Sequence, residues 1–307
     1  MHPHLRFSLP GLLLALAACG TDPSPSPRLD LVSDGRLQTA NRVASPGDTL
    51  VSRIFAEAGD DQPLLRRFTI TVQYTDGTNI DANEEAAAPV LTYLDTLIDR
   101  PSLLWEHRFA AGTESGRELW RFEVTDADGR TARRQFRLTV RQPDSLSSWH
   151  AYAVRLEPPR SLTARAALAS RRGLPLPAHA AASPTYQQLI DLLYLPEASG
   201  GGTLASPADV AARQHPVLRA GRWSTRRQTQ VKTTALTKTE FDEVNTAEEI
   251  SEVVAAAAPL GTRTTVLAKD QVVAFRTEDG RDGVLHVADI SVRGVLTLNV
   301  KIRRPGE

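Results

Sequence analysis

Two-residue alternation of apolar and polar side chains recurs along this chain and constrains its fold more than any other feature. Residues 68–74 place Phe, Ile, Val and Tyr between Thr, Thr and Gln, and residues 120–124 and 136–140 follow the same rule. Successive side chains of a strand point to opposite faces, so this pattern predicts strands with one buried face. Asp128-Gly129 lies between the last two runs and predicts the turn of a hairpin.

The same signals predict an antiparallel β-sandwich over residues 29–142. Residues 50–56 carry apolar groups on both sides of a strand, which predicts burial on both faces. Turn residues separate the runs, and the segment has no long apolar helix. A single cysteine excludes an internal disulfide, so packing alone must hold this sandwich together.

Four stretches carry a resemblance to known families. Residues 47–50, 58–61 and 65–72 are similar to the opening strands of Ig-like domains in lipoproteins of the Bacteroidetes. Residues 122–131 resemble the last hairpin of Ig, cadherin or PKD-type modules. The resemblance implies an Ig-like fold and an envelope location, and it implies no activity.

After a polar break at residues 142–148, a second β-rich domain is predicted over residues 149–307. It opens with a strand at residues 150–156 and ends with three antiparallel strands at residues 272–277, 284–290 and 296–303, one face of which is expected to meet water. Residues 190–194 fit a buried strand. The apolar residues from Tyr186 to Tyr194 also have helical spacing, so a helix is the alternative prediction. Residues 190–194 and 203–207 resemble a second domain of similar lipoproteins, which favours the strand.

Three sites in this second domain fit the start of a helix. Ser206-Pro-Ala-Asp209, Thr237-Lys-Thr-Glu240 and Thr246-Ala-Glu-Glu249 each place a hydroxyl three residues before an acid, and the last is expected to open a helix through about Ala256. Residues 160–184 show no consistent period and receive no assignment. The fold class is therefore mainly β, an Ig-like sandwich followed by a β-rich domain with a few short helices.

The first 28 residues are expected to lie outside both domains. His2, His4 and Arg6 precede roughly a dozen mostly apolar residues, too few to span a bilayer but typical of a signal peptide over residues 1–18. An ordinary secretory signal with a cysteine near its cut would look similar. A Pro- and Ser-rich tether follows at residues 19–28.

The end of the apolar run, Leu16-Ala17-Ala18-Cys19, resembles a bacterial lipobox. The resemblance implies lipidation of Cys19, and Gly20 in place of Asp favours the outer membrane, with the body facing the periplasm or the outside.

Several function classes are excluded or disfavoured by composition. Lys+Arg and Asp+Glu both number 36, so no net field favours nucleic acid. One cysteine cannot build a zinc or iron–sulfur site, and no G-x-S-x-G, H-E-x-x-H or phosphate-loop motif occurs. We therefore expect no cofactor, no metal and no catalytic residue. The acidic residues from Asp76 to Glu85, including Asp81, fit a solvated loop better than a calcium loop, because their spacing departs from the calcium-binding pattern.

Two residues are candidates for a binding site. Asp191 interrupts the apolar run 189–195 and is either a buried carboxylate that serves a site or a cap for a neighbouring loop. Trp223 lies close to Arg222, Arg226 and Arg227 and is expected to be exposed, where it could stack on a sugar ring. No group of arginines has the spacing of a phosphate site.

Together these observations predict a lipid-anchored envelope protein with a non-catalytic role in binding, adhesion or scaffolding, whose partner is an envelope protein or a glycan. The alternatives are a carboxylate-based hydrolase that uses Asp191 and a glycan-binding accessory protein. A second carboxylate within roughly 5 to 10 Å of Asp191 in a concave pocket would favour the hydrolase.

Overall fold

The computed structural model describes residues 27–59, 64–76, 88, 90–141, 148–197 and 201–304. Strands form 49% of it and helices 13%, which confirms the mainly β prediction. The strands are β1 (Arg28–Val32), β2 (Arg42–Ala44), β3 (Thr49–Glu57), β4 (Leu65–Asp76), β5 (Val90–Arg100), β6 (Ser102–Ala110), β7 (Gly116–Asp126), β8 (Thr131–Val140), β9 (Trp149–Leu156), β10 (Arg165–Ala169), β11 (Leu174–Pro177), β12 (Leu192–Pro196), β13 (Gly202–Ala205), β14 (Gln230–Thr233), β15 (Val272–Arg276), β16 (Asp282–Ile290) and β17 (Leu296–Arg303). The helices are α1 (Ala178–Ala181), α2 (Pro184–Gln187), α3 (Val210–Gln214), a 3₁₀ turn (Ala220–Arg222), α4 (Lys238–Glu243) and α5 (Ala247–Ala256).

The first segment is a sandwich of two sheets, as the alternation predicts. Strands in the order β1-β3-β6 form one sheet, and β2-β8-β7-β4-β5 form the other, with β2 parallel to β8. Aromatic side chains join the two sheets, since Phe109 of β6 lies 4.5 Å from Trp120 of β7 between ring centroids. The predicted hairpin turn is present, with Gly129 at a φ of 79°. Strand β3 buries only alternate residues, so its predicted burial on both faces is wrong.

The second segment adds a four-stranded sheet, β11-β10-β12-β13, and a five-stranded sheet, β14-β15-β16-β17-β9. Leu192 and Tyr194 of β12 face the core shared with the five-stranded sheet. Leu193 and Leu195 belong to the core of the first segment. The four-stranded sheet is therefore buried on both faces, and β12 confirms the predicted strand from Leu192 onward.

One prediction for the second segment fails, and one stretch without an assignment is structured, for related reasons. The face of the C-terminal sheet that was expected to be wet is covered, because Val272, Ala274 and Val284 pack against helices α4 and α5. Residues 160–184, which show no period in the sequence, form β10, β11 and α1 in the middle of the molecule. In both places small or polar residues occupy buried positions, so the apolar pattern does not reveal them.

Both Thr-initiated helices begin where the sequence predicts. Thr237 and Thr246 each complete a capping box with the glutamate three residues on. The prediction at Ser206 is wrong, because Asp209 caps α3. The Ser206 hydroxyl instead donates to the carbonyl of Arg227.

A buried lysine from strand β17 caps the C-terminal end of helix α4. Lys301 of β17 is 8% exposed, and its ammonium donates to the carbonyl oxygens of Phe241, Asp242 and Val244 at 2.8, 3.2 and 2.7 Å. These carbonyls belong to the last turn of the helix and the residue after it, where backbone acceptors lack partners within the helix. The last strand and the helix are thereby joined by a charged cap.

The second segment closes the open side of the first sandwich. Helix α1 contacts β5, and β11 contacts both β5 and β6. The Tyr93 hydroxyl donates to the carbonyl of Pro175 at 3.0 Å. One continuous apolar core runs from Leu29 to Trp223, so the two segments share buried surface. The sequence boundary at 142–147 lies outside the described residues.

Candidate functional site

Asp191 lies in the loop before β12, and it ties that loop to the turn between β10 and β11. It is 2% exposed. Its Oδ2 accepts hydrogen bonds from both the backbone N–H and the hydroxyl of Ser170. An apolar run carries Asp191 into the interior, and the turn supplies the donors that a buried carboxylate requires.

Arg227 neutralises this carboxylate and connects it to a second one. Its Nε donates to Asp191 at 2.8 Å, its Nη1 reaches the carbonyl of Gln188 at 3.3 Å, and its Nη2 pairs with Asp279. Asp279 lies in the β15–β16 turn and also accepts from the Nε of Arg281 at 2.9 Å. A chain of alternating charges thus runs from the interior to the surface.

A cavity of about 80 Å³ lies beside this chain of charges. Its lining includes Arg171, Arg172, Arg227 and Arg281, together with Asp191 and Asp279. The Nε of Arg171 also donates to Glu114 at 2.7 Å, and the Arg172 guanidinium lies over the Tyr74 ring. We call the cavity the arginine pocket. It has room for more than one water-sized group. Arginines therefore outnumber aspartates in its wall by four to two.

One guanidinium in the arginine pocket has a nitrogen that makes no hydrogen bond to the described residues. The Arg281 side chain is 11% exposed, and its Nη1 is buried with no hydrogen-bond partner among the described residues. A buried guanidinium N–H without an acceptor is costly, since the penalty of removing it from water is not repaid. An oxygen atom in the pocket would supply the missing acceptor.

The positive potential extends beyond the cavity to His150. The pKa of His150 is lowered to about 4, mainly by burial and further by the positive charge of Arg304. A hydrogen bond with the backbone of Arg171 opposes this shift, while the charges of Arg281 and Arg171, which line the pocket, lower the pKa further. The imidazole is therefore neutral near pH 7 and adds no positive charge to that of the arginines.

The two carboxylates lie close together, but neither is free. Asp191 and Asp279 both contact the guanidinium of Arg227. Burial raises the pKa of Asp191, with Arg227 and Ser170 opposing the shift. Although partial burial acts the other way, the hydrogen bond from Thr277 and two nearby guanidinium groups lower the pKa of Asp279. Because Arg227 occupies the space between them, the arrangement fits binding better than acid–base chemistry.

The other predicted site residues have different outcomes. Trp223 is 4% exposed and its indole N–H donates to the carbonyl of Leu218 at 3.1 Å, so the prediction of an exposed aromatic is wrong. Cys19 and the residues before it in the lipobox, Leu16, Ala17 and Ala18, lie outside the described residues, as does Asp81. Asp76 ends strand β4.

The residues that the structure describes include neither a membrane-spanning helix nor a cluster of metal-binding side chains. None of their helices has the length and apolar character needed to cross a membrane. No group of three or more His, Cys, Asp or Glu side chains in this part of the chain could hold a metal ion.

The arginines of the pocket were missed by sequence reasoning. Arg171 and Arg172 come from the β10–β11 turn, Arg227 from the segment before β14, and Arg281 from the β15–β16 turn. No spacing rule connects positions so far apart, and the arginine-rich composition hides them among many others. The nearest signal was Asp191, whose burial required a cationic partner.

Comparison with known proteins gives structural neighbours of low similarity. No family model matches the chain, and no curated protein does. A DUF4466 family protein from Parabacteroides merdae is similar over 92% of this chain and 100% of its own, with 10% identity and a TM-score of 0.36. The PmoD soluble domain from Methylocystis covers 38% of this chain and 90% of its own, with 14% identity and a TM-score of 0.22. Spo0M, a sporulation control protein from Bacillus subtilis, covers 59% and 78%, with 13% identity and a TM-score of 0.25. All three TM-scores are too low to identify a shared fold.

Proposed function

We propose that this chain is a lipid-anchored protein of the cell envelope that binds a small anionic ligand, without chemical conversion, in the arginine pocket. The observation that carries the proposal is the arginine pocket, lined by four arginines and two aspartates, in which the buried Nη1 of Arg281 lacks an acceptor among the described residues. Guanidinium groups bind carboxylate, phosphate and sulfate oxygens through paired, charge-assisted hydrogen bonds.

The size and wall of the pocket define the ligand class. A cavity of about 80 Å³ admits one oxyanion group rather than a large molecule. Asp191 and Asp279 hold Arg227 in place by accepting from its Nε and Nη2, so the binding surface is set before the ligand arrives. The ligand is therefore a free oxyanion or the anionic end of an envelope component.

The binding proposal is tested by calorimetric titration with inorganic phosphate, sulfate and acetate. Saturable binding of at least one anion is expected, and Arg281→Gln should weaken it at least tenfold. Arg293→Gln is the matched control, because Arg293 is exposed and lies outside the pocket lining. No saturable binding of any of these anions, or equal binding by Arg281→Gln, would refute the proposal.

The anchor is tested separately in cells that carry an outer membrane. The motif Leu16-Ala17-Ala18-Cys19 supports lipidation of the cysteine thiol. The full chain should fractionate with the outer membrane, and Cys19→Ala should move it to the soluble fraction. Retention of the variant in the membrane would defeat the anchor while leaving the binding proposal intact.

A further inference from the structure

A second cavity lies where the two segments meet, on the open side of the first sandwich. Strand β6 is the edge of its sheet, and the covering segment that contains Glu157, Arg165 and Pro177 leaves a cavity of about 200 Å³ against it. We call it the Trp105 pocket, because the indole of Trp105 forms part of its wall. Its lining residues are not shared with the arginine pocket.

The inner wall of the Trp105 pocket is aromatic and contains a polar atom without a partner. Trp105 is half-buried and packs against Phe68, with ring centroids 6.0 Å apart. His107 is 5% exposed, and its Nε2 is buried without a hydrogen-bond partner in the described structure. Buried polar atoms of native proteins are nearly always paired, so an unpaired nitrogen on a residue of the lining is unusual.

The charges around the Trp105 pocket balance each other. Arg165 donates to Glu157 at 2.7 Å and to the carbonyl of Arg108 at 2.9 Å. Glu106 accepts from the Nε of Arg108 at 2.9 Å. The lining thus holds two glutamates and two arginines in pairs, and it has no excess charge for an ionic ligand.

We infer that the Trp105 pocket binds one neutral, hydroxylated ring, such as a single sugar residue of a glycan. The indole face suits the C–H face of the ring. The paired carboxylates and guanidinium groups of the lining offer acceptors and donors for hydroxyl groups. The volume is below that of pockets that enclose drug-sized ligands, so only one ring would be held.

The inference is tested by ligand-observed NMR, with the methyl glycosides of glucose, galactose, mannose and N-acetylglucosamine as probes. Saturation transfer from protein to ring protons is expected for at least one glycoside. Trp105→Leu should weaken binding at least tenfold, and Trp105→Tyr, which keeps an aromatic face, should restore most of it. Trp149→Leu is the matched control, because Trp149 packs in the distant cluster around helices α4 and α5.

A surface variant covers the case in which the Trp105 variants do not fold. Thr163 is exposed at the rim of the pocket, and Thr163→Arg should block entry without disturbing the core. Absence of transfer to every glycoside, or binding that survives both Trp105→Leu and Thr163→Arg, would overturn the inference. Neither result bears on anion binding, because the arginine pocket has a different lining.

Discussion

His107 should make the protein acid-sensitive in a way that a single substitution removes. Its imidazole stacks on Phe109, with ring centroids 5.0 Å apart, and meets Tyr93 edge-on at the same distance. Burial, with a smaller contribution from Arg165, lowers its pKa from 6.5 to about 3. Between these two values the unfolded chain binds a proton that the folded protein does not. The folded protein therefore keeps its full stability, as far as His107 is concerned, above pH 6.5, and it loses stability as the pH falls towards 3.

The size of this loss follows from the pKa values. A pH of 5 is about 1.5 units below the pKa of this histidine in the unfolded chain, and each unit corresponds to about 1.4 kcal/mol. His107 should therefore lower the free energy of unfolding at pH 5 by about 2 kcal/mol. His107→Phe removes the titrating group and keeps a ring among the aromatic neighbours. Its free energy of unfolding, measured against the unmodified protein, should therefore rise by about 2 kcal/mol between pH 7.5 and pH 5.

Urea unfolding of both proteins at the two pH values measures this difference, and other titrating groups cancel because both proteins contain them. Phe109→Leu is the control, since it perturbs the same cluster without adding or removing a proton site. Its stability difference from the unmodified protein should not change with pH. If the His107→Phe difference is also constant between pH 7.5 and 5, the imidazole is protonated in the folded protein and the reasoning fails.

Three further substitutions test the packing by urea or thermal unfolding. Lys301→Met removes the ammonium that caps α4 and leaves three carbonyls without it, so a loss of about 3 kcal/mol is expected; a loss below about 1 kcal/mol would show that water replaces the cap. Thr246→Ala should cost about 1 kcal/mol through the lost capping box, and an unchanged midpoint would contradict this. Gly283→Ala places a methyl 2.2 Å from the Phe275 ring and should cost about 2 kcal/mol, whereas a neutral result would mean that the ring moves freely.

Strands and helix starts were predictable where local chemistry decides the structure. Alternation located β4, β7 and β8, and the Thr246 capping box located α5 to its last residue. These signals succeed because one buried face or one cap is a property of neighbouring residues. The buried second face of the C-terminal sheet was not predictable, since Lys301 reads as a surface residue until its three carbonyl partners are known.

The candidate site was predictable only at one residue. Asp191 stood out because a charge inside an apolar run needs a partner, but nothing in the sequence identified Arg227 or Arg281. The prediction that Trp223 is exposed was wrong because its neighbours in the sequence are polar, although its ring packs into the core. Sites assembled from several turns depend on tertiary structure, which local patterns do not encode.

The position of β9 has a consequence for how the chain can assemble during synthesis. Its hydrogen-bonded neighbour is β17, from Leu296↔Leu156 to Arg303↔Trp149, so the first strand of the second segment pairs with the last strand described. While the ribosome produces everything between them, β9 lacks its strand partner, and its apolar residues can pack only against β10, β11 and β12. Truncation before residue 296 should therefore detach β9 from the sheet, because β16 and β9 would both lose the strand that joins them.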